Sequence, residues 1–547
     1  MTRILTAGSL LLTFAAAATA DFDGPAPLAW RFVQPTTVSP GGSPVVDGNT
    51  IYQSIGGRVF SIDRETGNLK WRFPQVDPIE GAFRSSPLLA PGALVVAGDN
   101  KLIYGVNPQN GQLLWSYPTG IPVYGQPTLV GTTVVYATSD NKLHAIGAAD
   151  GKEVWSTPYS VHDGIAGTIA GWNNSVMFFN SRSQLTSIDL TTRNRNWTQN
   201  FTQLPPNPVP VIYGDSIFTV SGPFVIAINP QSGSPRWQIQ TGAQLSFPPA
   251  VSQEGIYVVS QDGKLFAYQH NRDKINKYPV NLGTSAVTRP TASGKYVIIP
   301  TTAGGVMIVD PTKMVIPAGT APGAPFVDPS PQAILWNYLI RPINASASRA
   351  ASGSSGSPNG PGGPPGGQTQ QGDVKIVTIQ ANAPVVVAGD TLLIAAKDGS
   401  LLAFDKNLGV DLTPPTVKMF FPNPGDQVSG QPPLLLAFKV EDIASGLDTK
   451  TIKVDIEGQE YETTLNAEGI LIVRFSLTGK NRPLGDGRKT INVTAVDWMG
   501  NVAKQSFALT IDNTLKPIVL PGTNNSGSGG GAGGGFGGGG GGAGGGL

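Results

Sequence analysis

The chain reads as an all-β protein, an eight-bladed β-propeller closed by its own N-terminal strand and followed by an immunoglobulin-like β-sandwich. Three observations predict this. Trp30, Trp71, Trp115, Trp155, Trp197 and Trp237 recur at intervals of 40–44 residues. Five of the six close an eleven-residue phrase: SIDRETGNLKW (61–71), GVNPQNGQLLW (105–115), AIGAADGKEVW (145–155), SIDLTTRNRNW (187–197) and AINPQSGSPRW (227–237). After Leu412 the pattern changes to short segments of strict period-two alternation. A period near 40–45 residues holding several short strands is that of a propeller blade, and alternation is that of half-buried sandwich strands.

In chain order, residues 1–20 read as a secretory signal: Arg3, the apolar run ILTAGSLLLTFAAA, then Ala-Thr-Ala before Asp21. The run is too short for a spanning helix, and no later segment reaches membrane-spanning length. The propeller is assigned to 21–411. Residues 85–117 show its unit: SSPLLA, ALVVAG, KLIYGV and QLLWSY are four short strands, the last pair joined by the turn PQNG. Gly67, Gly111, Gly151 and Gly233 stand where the chain reverses and a positive φ suits glycine; Arg193 takes that place in the fourth unit, so that turn is expected to be built differently. Each tryptophan then falls on the outermost strand, wedged against the next blade as packing rather than as a ligand platform.

Counting fixes closure. The third strand of each unit ends at Asp63, Asn107, Gly147, Asp189, Asn229, Gln269, Asp310 and Asp405, eight in all. An outer-strand aromatic follows seven of them, at Trp71, Trp115, Trp155, Trp197, Trp237, Tyr278 and Trp336. The eighth unit, 383–406, lacks one, whereas Trp30 has no unit before it. The N-terminal strand is therefore expected to complete the last blade and remove an open edge.

Residues 345–373 are a low-complexity insertion expected to be disordered, and Pro- and Gly-rich sequence also fills 316–332 inside the seventh blade. The sandwich is assigned to 412–515, with strands around Val417/Met419/Phe421, Leu434/Leu436/Phe438/Val440, Ile452/Val454/Ile456, Tyr461/Thr463/Leu465, Leu471/Val473/Phe475/Leu477, Ile491/Val493/Ala495 and Phe507/Leu509/Ile511. TPPTV, EDIASGLD and GRKTINVTAVDWMGN resemble bacterial immunoglobulin-like modules of exported proteins. Asp442, Asp448 and Asp497 are carboxylates for a Ca²⁺ at one end, but their spacing matches no defined loop, and no metal is assigned. Residues 516–547 form a Gly-rich tail expected to be disordered; from Gly529 to Leu547, 15 of 19 residues are glycine.

Composition narrows function. There is no cysteine, hence no disulfide, thiolate metal site or acylated cysteine in this chain. Without Arg3 the acidic and basic residues balance, and no basic stripe speaks for nucleic acid. His144, His162 and His270 form no close metal pair, and no G-x-S-x-G is present for a triad. His144 and His270 read as structural. What remains is loop surface. GIPVYGQP (120–127), HDGIAGT (162–168), LSFPPA (245–250) and TSAVTRPT (284–291) precede the innermost strands of their blades. Phe83, Arg84, Tyr124, His162, Phe247 and Arg289 are thereby expected to converge on one mouth of the channel, a rim suited to protein or peptide capture.

The phrase A-x-D-x-x-T-G-x-x-x-W resembles the repeat of pyrroloquinoline-quinone (PQQ)-type propellers over about 30–410. That group includes quinoprotein alcohol dehydrogenases and BamB, the non-catalytic propeller of outer-membrane protein assembly. The dehydrogenase branch implies a quinone clamped by vicinal cysteines beside Ca²⁺, and the cysteines are missing here. The BamB branch implies a docking scaffold; its members are lipoproteins ending with the propeller, so the scaffold character carries over and the assembly role does not. The expectation is an exported, non-enzymatic bacterial scaffold without cofactor, in the periplasm, at the surface or outside the cell. Its partners would be other envelope or surface proteins. A PQQ-binding quinoprotein is the first alternative and a carbohydrate-binding surface protein the second.

Overall fold

Along 28–405 of the computed structural model, eight four-stranded antiparallel sheets follow one another: 45–73, 88–118, 123–160, 166–200, 211–240, 250–281, 291–339, and 386–405 joined by Leu28–Phe32 (blades 1 to 8). The structure describes residues 21–34, 38–314, 328–342, 378–465 and 469–518; the leader, the insertion 345–373, most of 316–332 and the tail from 519 lie outside these. Leu28–Phe32 pairs antiparallel with Leu401–Asp405, Trp30 facing Ala403, so the first strand completes the last blade. A buried apolar core fills every seam between neighbouring blades. At the closing seam Ile51, Phe60 and Ile62 of blade 1 meet Leu393, Leu401 and Ala403 of blade 8. Because both faces of a blade are covered, middle strands such as Ala93–Ala97 are buried at every position instead of alternating.

The repeated phrase has a local cause. Asp63 Oδ1 accepts the N–H groups of Glu65 and Thr66 and the Thr66 hydroxyl, and the Gly67 N–H returns to the Asp63 carbonyl. Asn107, Asp189 and Asn229 fold their turns in the same way. The preceding blade's tryptophan lies on that turn: a Cβ at Gly67 would stand 2.6 Å from the Trp30 ring, and Gly111, Gly151 and Gly233 are covered by Trp71, Trp115 and Trp197. The indole N–H then reaches the carbonyl after the turn-opening residue, from Trp30 to Arg64 (2.8 Å), Trp71 to Pro108 (3.0 Å), Trp155 to Leu190 (2.8 Å) and Trp197 to Pro230 (3.0 Å). Trp115 and Trp237 make no such bond, and the Nε1 of Trp115 is buried without a partner.

Four expectations need correction. The turn at Arg193 is not built differently: Arg193 itself takes φ +61°, and its N–H bonds the Asp189 carbonyl as in the glycine turns. Trp155, which faces that turn, lies ahead of its blade's outer strand, Tyr159–Ser160, and not on it. In blade 6 Tyr278 precedes the outer strand Val280–Asn281 and is exposed; Ile275, bonded to the Ala267 carbonyl and packed on the core, fills the tryptophan's place. In the sandwich, 461–465 is not one strand. Gln459–Tyr461 pairs in one sheet and Thr464–Leu465 in the other, and Leu477 is exposed beyond Ile470–Arg474.

The sandwich packs a four-stranded sheet (Thr416–Phe421, Leu435–Glu441, Ile470–Arg474, Thr464–Leu465) on a five-stranded one (Gln427–Val428, Val502–Ile511, Gly487–Asp497, Leu447–Ile456, Gln459–Tyr461). These are the ABED and GFC strand orders of an immunoglobulin-type sandwich. Its loop 442–446 docks on blades 7 and 8. Trp336 Nε1 donates to the Ser445 carbonyl (2.7 Å), the Tyr338 hydroxyl to that of Ile443 (2.9 Å), and the Leu28 N–H to that of Ala444 (2.9 Å). Trp336, whose indole has no such turn carbonyl from blade 8, is thus satisfied by the sandwich and fully buried.

Candidate functional site

In antiparallel blades the start of the innermost strand, the turn between the second and third strands, and the end of the fourth share one face of the disc. The innermost strands there are short, as in Val45–Asp47, Leu88–Ala90 and Ala250–Val251, except in two neighbouring blades. Val123–Val130 runs eight residues and Ala166–Trp172 seven, and both carry a register shift near their start. Gly125 (φ +70°) and Gly167 (φ +69°) sit in these irregular stretches. A Cβ at Gly167 would lie 1.9 Å from the Pro208 carbonyl, whose oxygen accepts the Thr168 N–H at 3.0 Å, so only glycine permits this approach of blades 4 and 5. Bulged strands turn their side chains off the sheet's regular direction. The result is a lip at the channel mouth with Tyr124, 40% exposed, upon it.

Clefts flank Tyr124 on both sides. One, of about 490 Å³, is lined by Asn180, Ser181, Gln203, Leu204, Asn207 and Pro208 among others; the other, of about 390 Å³, includes Ser86, Arg84, Asp99, Gln126 and Thr168. Tyr124 lines both. The charged side chains lining them are Arg84 and Asp99, and these neutralise each other through a two-pronged contact at 2.9 Å. The surface thus carries no net charge and is amide- and hydroxyl-rich, with proline and one aromatic ring, suited to hydrogen-bonding a chain of amides while an apolar side chain rests on the ring.

The six residues expected at the rim do not converge. Arg84 and Tyr124 share a cleft. Phe83 is 1% exposed and belongs to the core between blades 1 and 2, because its N–H pairs with the Gly56 carbonyl and turns the ring inward. His162 is exposed beside Asp163, which pairs with Arg182 at 2.9 Å, and lines neither cleft. Phe247 rests on the core between blades 6 and 7. Arg289 is half-buried just before the innermost strand of blade 7, where burial lowers its guanidinium pKa, and it makes no ion pair among the described residues. The cleft amides were not legible: Asn180, Gln203 and Asn207 are ordinary turn residues in sequence, and only the bulged lip gives them a common neighbour.

His144 and His270 both pack against neighbouring aromatic rings. His144 stacks on Tyr136 at 5.1 Å, and burial lowers its pKa. His270 Nε2 lies 2.7 Å from the Ser252 carbonyl and its ring stacks on Tyr213. Of the acidic residues read at one end of the sandwich, Asp442 and Asp497 come together, but Asp448 does not; it receives the Lys450 N–H in its own strand.

A family model described as outer membrane protein assembly factor BamB matches residues 26–223 and 206–313. The outer membrane protein assembly factor BamB of Burkholderia pseudomallei (strain K96243) is 24% identical over 246 residues, covering 42% of this chain and 63% of that protein. That of Alkalilimnicola ehrlichii is 27% identical over 197 residues, covering 34% and 50%. The chain therefore spans about half to two thirds of the length of these relatives. A tetrathionate hydrolase of Acidithiobacillus ferrooxidans is 26% identical over 151 residues, 28% of this chain and 26% of that one. The crystal structure of BamB from Moraxella catarrhalis superposes with a TM-score of 0.36 at 16% identity, covering 69% of this chain and 88% of that one.

Proposed function

The chain belongs to the outer membrane protein assembly factor BamB family, and on that premise we propose that it is an exported, non-catalytic scaffold that captures extended segments of envelope proteins on the Tyr124 face. The observation that carries the reading is the lip itself. One exposed aromatic ring stands between two clefts of no net charge, rich in amides and hydroxyls, on the face where two innermost strands alone are lengthened. Such a surface binds polypeptide through main-chain hydrogen bonds and takes one side chain against the ring. The family premise supports a partner among outer-membrane assembly proteins or their substrates.

The test is site-specific photo-crosslinking in intact cells of the source organism. A photoreactive phenylalanine analogue replaces Tyr124 in one strain and Tyr213, of similar exposure at the opposite end of its blade's innermost strand, in another. Adducts with outer-membrane assembly proteins or unfolded barrel chains from position 124 and not from 213 are expected. Adducts from 213 alone would reject this face. In a binding assay with the recovered partner, Tyr124→Ala is expected to weaken affinity roughly tenfold or more, the scale of a central aromatic anchor.

A further inference from the structure

From a cluster away from that face, we infer that Asp411, Asp442 and Asp497 hold a Ca²⁺-class divalent cation at the junction of propeller and sandwich. One carboxylate oxygen from each lies within 4.8 Å of the other two. Asp411 belongs to the segment leaving blade 8, Asp442 opens the loop that docks on blades 7 and 8, and Asp497 ends the strand Gly487–Asp497. Three parts of the chain, far apart in sequence, thus meet at one point.

Each carboxylate is held by its own loop with one oxygen and keeps capacity on the other. Asp442 Oδ1 accepts the N–H groups of Ala444, Ser445 and Gly446. Asp411 Oδ1 accepts the N–H and hydroxyl of Thr413. Asp497 Oδ1 accepts the N–H groups of Met499 and Asn501, and Oδ2 accepts one amide hydrogen bond from Asn501. Asp411 is 7% exposed, and its Oδ2 is buried with no hydrogen-bond partner. The Ser445 hydroxyl nearby is also buried without a hydrogen-bond partner of good geometry; against the effect of burial, Ser445 and Thr413 hold the Asp411 carboxyl below its usual pKa, so it stays charged. No lysine or arginine pairs with any of the three among the described residues. Asp411 and Asp497 both raise the pKa of Asp442, after the larger effect of its burial.

Buried like charges with a free oxygen and no counter-ion are the environment a cation resolves. The donors are hard oxygens, and two ligands on opposite sides of a Ca²⁺ at about 2.4 Å stand about 4.8 Å apart. Mg²⁺ takes shorter bonds and keeps most of its waters, a poorer match to carboxylates this enclosed. The cation would brace loop 442–446, and through it the seat of the sandwich on Trp336 and Tyr338.

The test uses the full chain, stripped with EDTA. Equilibrium dialysis at 1 mM Ca²⁺ is expected to give about one bound ion per chain. Tb³⁺ as a calcium probe is expected to luminesce under indole excitation, because Trp498 adjoins Asp497, and Ca²⁺ should displace it far better than Mg²⁺ at equal concentration. Asp411→Asn and Asp442→Asn, checked for folding by circular dichroism, should each lose the Tb³⁺ signal at least tenfold, while Asp448→Asn keeps it. No bound Ca²⁺ in the wild-type chain overturns the site whatever the variants do. Binding unchanged in both Asp411→Asn and Asp442→Asn overturns its location, and equal displacement by Mg²⁺ overturns the choice of ion.

Discussion

At the scale of single residues, the tryptophans show that the same ring in the same repeat need not contribute the same energy. Trp197 Nε1 donates to the Pro230 carbonyl, whereas Trp115 Nε1 is buried and unpartnered. Trp197→Phe strands a buried carbonyl, a loss of about 1–3 kcal/mol on top of lost ring area. Trp115→Phe removes an unsatisfied donor instead, and is expected to cost at least about 1 kcal/mol less. Urea denaturation of the two variants measures the difference, and equal losses would mean that the N–H groups are irrelevant to seam stability. His144 gives a pH dependence. Burial lowers its pKa from 6.5, so the unfolded chain takes up the proton more readily than the folded one. Its contribution is complete above about 6.5 and is lost as the pH falls through the lower folded value. His144→Phe, which keeps a ring against Tyr136, should flatten the decline in denaturation midpoint between pH 7.5 and 5; an unchanged decline would place the acid sensitivity elsewhere.

At the scale of elements, closure rests on one short strand and the segment before it. Phe22 and Ala26 are buried against blades 7 and 8, the Phe22 N–H donates to Ser293 Oγ at 2.8 Å, and Arg31 pairs with Asp398 at 2.9 Å. Deleting 21–34 uncovers the edge of Leu401–Asp405 and empties that core, so the variant should lose more than about 3 kcal/mol of stability and elute as larger species than the full chain. A synthetic 21–34 peptide supplied in trans should restore the original elution; failure to do so would mean the strand acts before the ring forms and not as its closure. This strand was legible in the sequence because a repeat counts itself: a tryptophan without a unit and a unit without a tryptophan complete each other. Blade 6 was less legible, because Ile275 fills an aromatic's place without any mark in the pattern. The candidate site was least legible. Tyr124 was found from its position in the repeat, but the burial of Phe83 follows from its backbone pairing with Gly56, and the lengthened strands of blades 3 and 4 carry backbone irregularity at Gly125 and Gly167, none of which composition signals.

For the whole molecule, the question is whether propeller and sandwich are two bodies on a tether or one cooperative unit. The loop 442–446 supplies carbonyls to Trp336, Tyr338 and Leu28 at the seam between the last two blades, close to where the ring closes. Losing the sandwich would therefore take the hydrogen-bond partner from the Trp336 indole and uncover the seam between blades 7 and 8. Gly446 lies against this seat at φ +83°, where an added Cβ would touch Trp336 Nε1 and Tyr338 Cδ2 at 3.4 Å each. Gly446→Val adds strain of about 1–2 kcal/mol and two methyl groups into that contact. The matching control is Gly458, at φ +84° with nothing within 4 Å of an added Cβ. Calorimetry of the native chain is expected to show one transition for both parts, Gly458→Val one transition at lower temperature, and Gly446→Val two, with tryptophan emission shifting to the red in the first as Trp336 meets water. Two transitions already in the native chain would make the sandwich a separate passenger. A single one in Gly446→Val would mean that the seat tolerates the side chain and that the coupling lies in the segment around Asp411 instead.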